Sequence, residues 1–188
     1  MRYYKLMYDY ENDADAICAE SDDLKGIDRY DVEKGKKIEN WPEITFYYNP
    51  EEGSRKTDYL GNDLGWFVIS ERFKNILQEE KIEGIQYLPI NIVNIKTNEK
   101  LGNYFVVNVC NLVEALDLDN SVYDVFEIDE NRKYILVVKY ALKAELIKGL
   151  DIFRLKEEDI PIYVSERFVD TVKKYGMTGF DFLKVKVS

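Results

Sequence analysis

The 188-residue chain contains no histidine. That absence removes the Ser-His and Cys-His pairs with which most nucleophilic enzymes activate an attacking atom. General acid or base work would fall to carboxylates, Lys or Tyr, so a non-enzymatic protein is the expectation. Cysteine is scarce as well, with Cys18 and Cys110 the two in the chain. Two thiols make no disulfide scaffold, and without His they cannot complete a usual zinc site; reduced thiols, no metal and no cofactor are expected. There are four Pro and no Gly/Ser-rich or low-complexity run, so no linker marks a domain boundary. No apolar stretch approaches the roughly 18 residues of a membrane helix. The opening Met1-Arg2-Tyr3-Tyr4-Lys5 lacks the apolar centre of a signal peptide, so the expectation is a cytoplasmic protein that does not engage a membrane. The glycines are isolated and form no phosphate-cradling loop.

What is present describes a folded chain: 46% apolar and 14% aromatic residues exclude disorder. A chain of this length can bury roughly 70% of its unfolded surface as one domain and fold without a metal or disulfide. A division into subdomains 1–65 and 66–188 is the alternative. Net charge is −10 and unevenly spread. Asp9 to Glu33 carries ten acids against Lys25 and Arg29, and Glu114 to Glu130 carries seven acids and no base, which leaves the remainder at +5. Such stretches repel phosphate backbones, so nucleic acid is not an expected partner and a basic protein surface is.

The chain is organised around four letters that occur twice. Ser70-Glu71-Arg72-Phe73 returns ninety-five residues later as Ser165-Glu166-Arg167-Phe168, and at the same offset Gly84 matches Gly179 and Leu88 matches Leu183. Each copy follows a short apolar run suited to a strand, Phe67-Val68-Ile69 or Ile162-Tyr163-Val164. The Ser can cap a helix, and Glu stands beside the positive end of its dipole. Phe73, Ile76 and Leu77, then Phe168, Val172 and Tyr175, fall three or four apart and give each helix one apolar face. A glycine closes each helix, and alternation resumes in Ile85-Gln86-Tyr87 and Phe180-Asp181-Phe182. The fold class read from this is α/β or α+β, a mixed sheet with short helices built around two similar strand-helix-strand units.

Elsewhere Tyr3–Met7 reads as an opening strand, and Ile44–Tyr48 as another. Ile90–Ile95 with Tyr104–Val109 forms a pair, and Val122–Ile128 with Tyr134–Tyr140 forms a second around Asp129-Glu130-Asn131-Arg132. Asp9–Asp31 reads mostly as loop, with Ala14, Ile17 and Cys18 able to form a stripe on a short helix. Asn111 with Glu114 has the pattern of a capping box, so a short helix is expected over Asn111–Leu118, and another over Ala141–Lys148. The apolar phase switches after Phe182, which a bulge or burial on both faces would explain. Ile152–Leu155 is strand-like, and a charged loop follows over 157–159.

Two features invite chemistry. Arg72 and Arg167 could bind a carboxylate or phosphate, but local pairing at a helix start accounts for them better. Cys110 would gain reactivity at a helix N-terminus, whereas burial as a small hydrophobe is the commoner condition of a free thiol. Asp117, Asp119, Asn120 and Ser121 lack the glycine and terminal Glu of a calcium loop.

Taken in order, Tyr3-Tyr4-Lys5-Leu6, Trp41-Pro42, Val68 to Phe73, Tyr87-Leu88-Pro89, Asn108 to Asn111, Glu114 to Asp117, Asp151 to Arg154, and Val164 to Phe168 with Gly179-Phe180 resemble a family of immunity proteins of bacterial polymorphic toxin systems. That family was long described as a domain of unknown function and named after a Myxococcus member. The resemblance is best from Trp66 to Phe182. It implies a cytoplasmic, non-catalytic protein that binds and neutralises a cognate toxin, and it supplies no catalytic residues. Joined to the charge map, it makes Asp13, Asp15, Asp22, Asp23, Asp117, Asp119 and Asp124 the candidate toxin-binding residues. Ser70, Glu71, Arg72, Phe73 and their repeats Ser165, Glu166, Arg167, Phe168 form the structural repeat. The alternative is a small carboxylate-dependent enzyme or ligand-binding protein with its site between the two repeated units.

Overall fold

The computed structural model describes residues 2–129, 132–158 and 160–188. The described residues form, in chain order, β1 (Tyr3–Tyr8), β2 (Cys18–Ser21), β3 (Ile44–Tyr48), β4 (Tyr59–Asn62) and β5 (Val68–Ser70). Next come α1 (Glu71–Glu79), β6 (Ile85–Asn94), β7 (Lys100–Val109), β8 (Leu112–Val113), β9 (Val122–Asp129) and β10 (Arg132–Lys139). The chain finishes with β11 (Ala141–Leu142), α2 (Ala144–Ile147), β12 (Ile152–Leu155), β13 (Tyr163–Ser165), α3 (Glu166–Lys174) and β14 (Phe180–Val187). The class is α+β, with 16% helix and 41% strand.

Six strands close a barrel in the order β2-β3-β6-β7-β5-β4, sealed where Cys18 and Ala19 pair in parallel with Gly61 and Asn62. Six others make a sheet in the order β11-β14-β1-β13-β12-β8, and β9 with β10 forms a two-stranded ribbon. Alternation decides where each side chain goes. Val68, Val106, Leu88 and Ile90 point into the barrel beside Phe46 and Trp66. Phe67, Ile69, Val107 and Val109 point outward and join Leu6, Ile152, Val164 and both long helices in a second core. The opposite face of the sheet buries Tyr3, Phe153, Leu155, Tyr163 and Val185.

The repeated units are split. β5 and β6 lie on either side of β7, and β13 and β14 on either side of β1, every pairing with the middle strand being antiparallel. Within a unit the two strands are therefore parallel, and the helix is the crossover that parallel strands require. The helices face each other through Phe73 and Phe168, edge to face at 5.8 Å. Phe73, Ile76, Leu77, Phe168 and Val172 are all buried, as the helical spacing predicts.

The phase change in β14 needs no bulge, since its register with β1 is continuous from Tyr3–Val185 to Tyr8–Phe180. Phe180 and Phe182 pack on the core shared with the helices, while Val185 and Val187 pack on the other. Burial on opposite faces at the two ends of β14 is the explanation, with Leu183 between them exposed. Ile85-Gln86-Tyr87 and the run from Ile90 join in one strand, and β6 passes through Pro89 for ten residues. β3 pairs with β6 only from Ile90 onward, so the missing N–H costs no ladder bond, and the Pro89 carbonyl on that free edge accepts Trp41 Nε1–H at 2.9 Å.

Three expectations are corrected. Asn111–Leu118 is not a helix: Asn111 donates from Nδ2 to the Ile152 carbonyl at 3.0 Å, and Leu112 and Val113 pair with Arg154 and Leu155 as β8. Sheet pairing with distant residues outweighs a capping pattern backed by a short apolar stripe. The helix expected over Ala141–Lys148 shrinks to Ala144–Ile147, because Ala141 and Leu142 pair with Lys186 and Val187. The stripe of Ala14, Ile17 and Cys18 belongs to no helix; Ile17 and Ala19 turn inward on either side of an exposed Cys18 as the chain enters β2. Glu130 and Asn131 of the expected turn, and Asp159 of the charged loop, lie outside the described residues.

Candidate partner-binding surfaces

The two quartets come first, because they bring the most functional groups together. Ser70 Oγ accepts the Phe73 N–H at 3.2 Å and donates to Asp58 Oδ1 at 2.7 Å. Ser165 repeats both bonds at the same lengths, with Phe168 N–H and Asp151 Oδ1. Each aspartate also accepts its serine's backbone N–H through its own carbonyl. Each arginine bridges two elements. Arg72 donates to Asp58 Oδ2 at 3.3 Å and to the Tyr175 carbonyl at 2.7 Å, and Arg167 donates to Asp151 Oδ2 at 2.5 Å and to the Glu80 carbonyl. Tyr175 and Glu80 are the C-cap residues of α3 and α1. Each helix therefore lends an arginine to the negative end of the other, where orphan carbonyls and the dipole both favour a cation. Sequence reading placed the quartets and gave Asp58 and Asp151 no part in them, though they stand 12 and 14 residues ahead of their serines. Their offset differs from that of the quartets, so a search at one period passes over them.

Asp58 is the more deeply engaged of the two, at 7% exposure. Its Oδ2 also accepts the N–H and Oγ1–H of Thr178, at 3.1 and 3.2 Å. A depression between the units, about 450 Å³, is lined by Glu80, Glu166, Arg167, Asp170, Thr171 and Lys174. Most of its charges are engaged: Lys174 Nζ and Tyr175 Oη donate to Glu80 Oε1 at 2.8 and 2.9 Å, and Glu166 pairs with Arg2 at 3.0 Å. The Lys174 bond holds the Glu80 carboxyl below its ordinary range.

Cys110 gains nothing from a helix, since none follows it. Partial desolvation pushes its thiol up; at Cys18, exposed overall, the same cause followed by the neighbouring Asp63 and Glu20 carboxylates does so too. Among the described residues no group of three or more His, Cys, Asp or Glu is placed to hold a metal.

The seven candidate carboxylates lie in two regions. Asp13, Asp15, Asp22 and Asp23 flank β2 on the barrel. Asp15 accepts the Ser54 N–H and hydroxyl, and Asp23 pairs with Lys25 at 2.8 Å. Asp13 and Asp22 have no side-chain partner among the described residues, and Asp22 is exposed. Asp117 and Asp119 lie between β8 and the ribbon, and Asp124 stands on the ribbon itself, in β9 opposite Leu136. Asp117 is itself buried: it caps the 3-10 turn Leu118–Asn120, accepting Asn120 N–H and Nδ2–H and, at 2.5 Å, the Ser188 hydroxyl. Those bonds, Ser188 first, lower its carboxyl below the ordinary range. Asp119 and Asp124 are exposed.

A third surface was not anticipated. The alternation of β9 and β10 reads as a strand pair, and of their described side chains only Val137 is buried. Val122, Val125, Phe126, Leu136 and Val138 are exposed, and they occupy both faces of the ribbon. Contiguous apolar surface of this kind marks interaction sites.

The chemistry that the surface leaves uncommitted is that of contact: carboxylates beside β2 and from the Leu118 turn into β9, with an apolar ribbon, while the arginines, the serine caps and the buried Asp58 network hold the two units together. Such a division is that of a protein whose surface meets another protein. The chain belongs to the Immunity protein family (Imm11), whose model matches residues 2–187. Among curated proteins none matches it.

Proposed function

We propose that the protein is a cytoplasmic, non-catalytic immunity protein of a polymorphic toxin system that neutralises its cognate toxin by occlusion. The observation that carries this reading is the family match across residues 2–187. Electrostatics supplies the form of contact. A toxin acting on nucleic acid needs a basic cleft, and the two acidic stretches, at −8 and −7 in a chain of −10, can fill such a cleft and speed association by steering. Asp13, Asp22, Asp119 and Asp124 carry that contact most directly. Asp15, Asp23 and Asp117 already serve Ser54, Lys25 and the turn at Leu118, and they act by holding the loops in place.

The test uses the toxin domain encoded immediately upstream, in inactivated form for binding and in active form for cell protection. Reversing Asp13 and Asp22 in one variant, and Asp119 and Asp124 in another, is expected to slow association at low salt and to flatten its salt dependence. Unchanged rates in both would remove the acidic contact. A wild-type chain that neither binds nor protects would remove the immunity reading itself.

A further inference from the structure

We propose that the groove between β10 and β14 receives an extended segment of the toxin that carries apolar side chains and carboxylates. This rests on the immunity reading and adds to it a second contact of opposite sign. The groove encloses about 620 Å³, and its most exposed apolar members are Val122, Val138 and Leu183. Every charged side chain lining it is a lysine: Lys5, Lys139, Lys184 and Lys186. Lys186 donates to Asn120 Oδ1 at 2.7 Å, and Lys5 lies over the Tyr140 ring at 5.4 Å. Among the described residues none of the four has a carboxylate partner. In a chain of net −10, an apolar groove whose charged lining residues are all lysines selects an occupant that brings both apolar groups and carboxylates.

The backbone favours an extended occupant. One edge of β14 pairs with β1 from Phe180 to Val185, but the other pairs with β11 only at Lys186 and Val187. On that second edge Lys186 N–H bonds the Tyr140 carbonyl at 3.3 Å, and alternation places the N–H and C=O of Lys184 and Phe182 on the same side. Phe182 N–H is taken by Asp181 Oδ1 at 2.7 Å. The amide of Lys184 has no backbone partner among the described residues. An open strand edge beside an apolar floor is the arrangement used in strand addition, where main-chain bonds supply affinity and alternate side-chain sites supply selectivity. The ribbon forms the opposite wall, through Val122, Val137, Val138 and Lys139.

The test uses the full chain and the same inactivated upstream toxin domain. Leu183→Ser and the pair Lys139→Glu/Lys184→Glu should each raise Kd at least about tenfold, mostly through faster dissociation, and Lys184→Arg should keep wild-type affinity. Hydrogen exchange at the Lys184 amide should slow on complex formation, a readout that separates docking from a general loss of fold; unaltered melting of the variants checks the latter. Wild-type affinity in both disruptive variants, with wild type binding and protecting, would overturn the groove and leave the immunity reading standing. Failure of wild type to bind removes both. A dimer of the free chain that Leu183→Ser converts to monomer would seat a second copy in the groove and overturn the proposal.

Discussion

Replacing Asp58 by Ala tests the central claim about the fold, that the repeated units are held by an aspartate network which the repeat itself does not reveal. Asp58 is nearly buried and accepts from Ser70 Oγ, Arg72 and both Thr178 donors. The Arg72 side chain is 58% exposed, so its ion pair counts for only about 0.5 kcal/mol after solvent screening. The larger loss comes from the Ser70 hydroxyl and the Thr178 amide, donors to a charged acceptor that are left without one, at about 1.5 kcal/mol each. The sum is about 3.5 kcal/mol, or roughly 10 °C in Tm for a chain of this size. Asp151→Ala removes only the Ser165 and Arg167 bonds and should cost about 2 kcal/mol. Urea unfolding of both variants, with m unchanged, reads the difference. A loss below about 1 kcal/mol in Asp58→Ala, or an Asp151→Ala loss equal to it, would refute the reasoning.

Ser70→Ala and Ser165→Ala should each lower stability by about 1 kcal/mol through the lost cap; unchanged denaturation midpoints in both would remove the capping role. Gly179 has φ +86°, and a Cβ there would lie 2.3 Å from the Tyr59 carbonyl oxygen, whereas Gly149 has φ +84° with nothing within 4 Å. Gly149→Ala should therefore cost about 1 kcal/mol and Gly179→Ala about 3 kcal/mol, and equal losses in thermal melts would show that the contact with β4 is unimportant. Asp117 has a folded pKa below its unfolded value, so its contribution is full above the ordinary carboxylate range and fades as pH falls through the folded value. The Tm gap between wild type and Asp117→Asn should begin to narrow below about pH 4 and close only below the folded value. A gap constant from pH 7 to pH 3 would contradict the capping geometry at Leu118–Asn120.

The helix starts were legible because a cap is local: Ser70 and Phe73, or Ser165 and Phe168, meet within three residues. What closed the units was not, because Asp58 reaches Thr178 across 120 residues and sequence spacing carries no record of such a bond. The same limit explains β8. Asn111 and Glu114 match a capping pattern, and only the presence of β12 beside them makes a strand the better state. Alternation identified β9 and β10 as strands but could not say what covers them, since period two reports a pleat and not a neighbour. Equal acidity likewise hid unequal roles, with Asp117 buried under Ser188 and Asp119 in solvent two residues away.

Sorting the charges by location divides the proposed contact into two kinds. The acidic segment 9–33 hangs on the barrel, while the lysine-rimmed groove belongs to the six-stranded sheet and the ribbon. Exposed loop charges act over about a Debye length and so govern encounter, whereas an apolar groove with an open strand edge acts only after docking and governs residence. If both serve one toxin, salt should weaken the complex mainly by slowing association, and groove substitutions should weaken it mainly by hastening dissociation. Combining an acidic-loop variant with Leu183→Ser should then give losses that add in free energy, because the two act on different steps and share no side chain. Strong non-additivity would mean that a single surface does both, and the acidic loops and the groove would have to be read as one site.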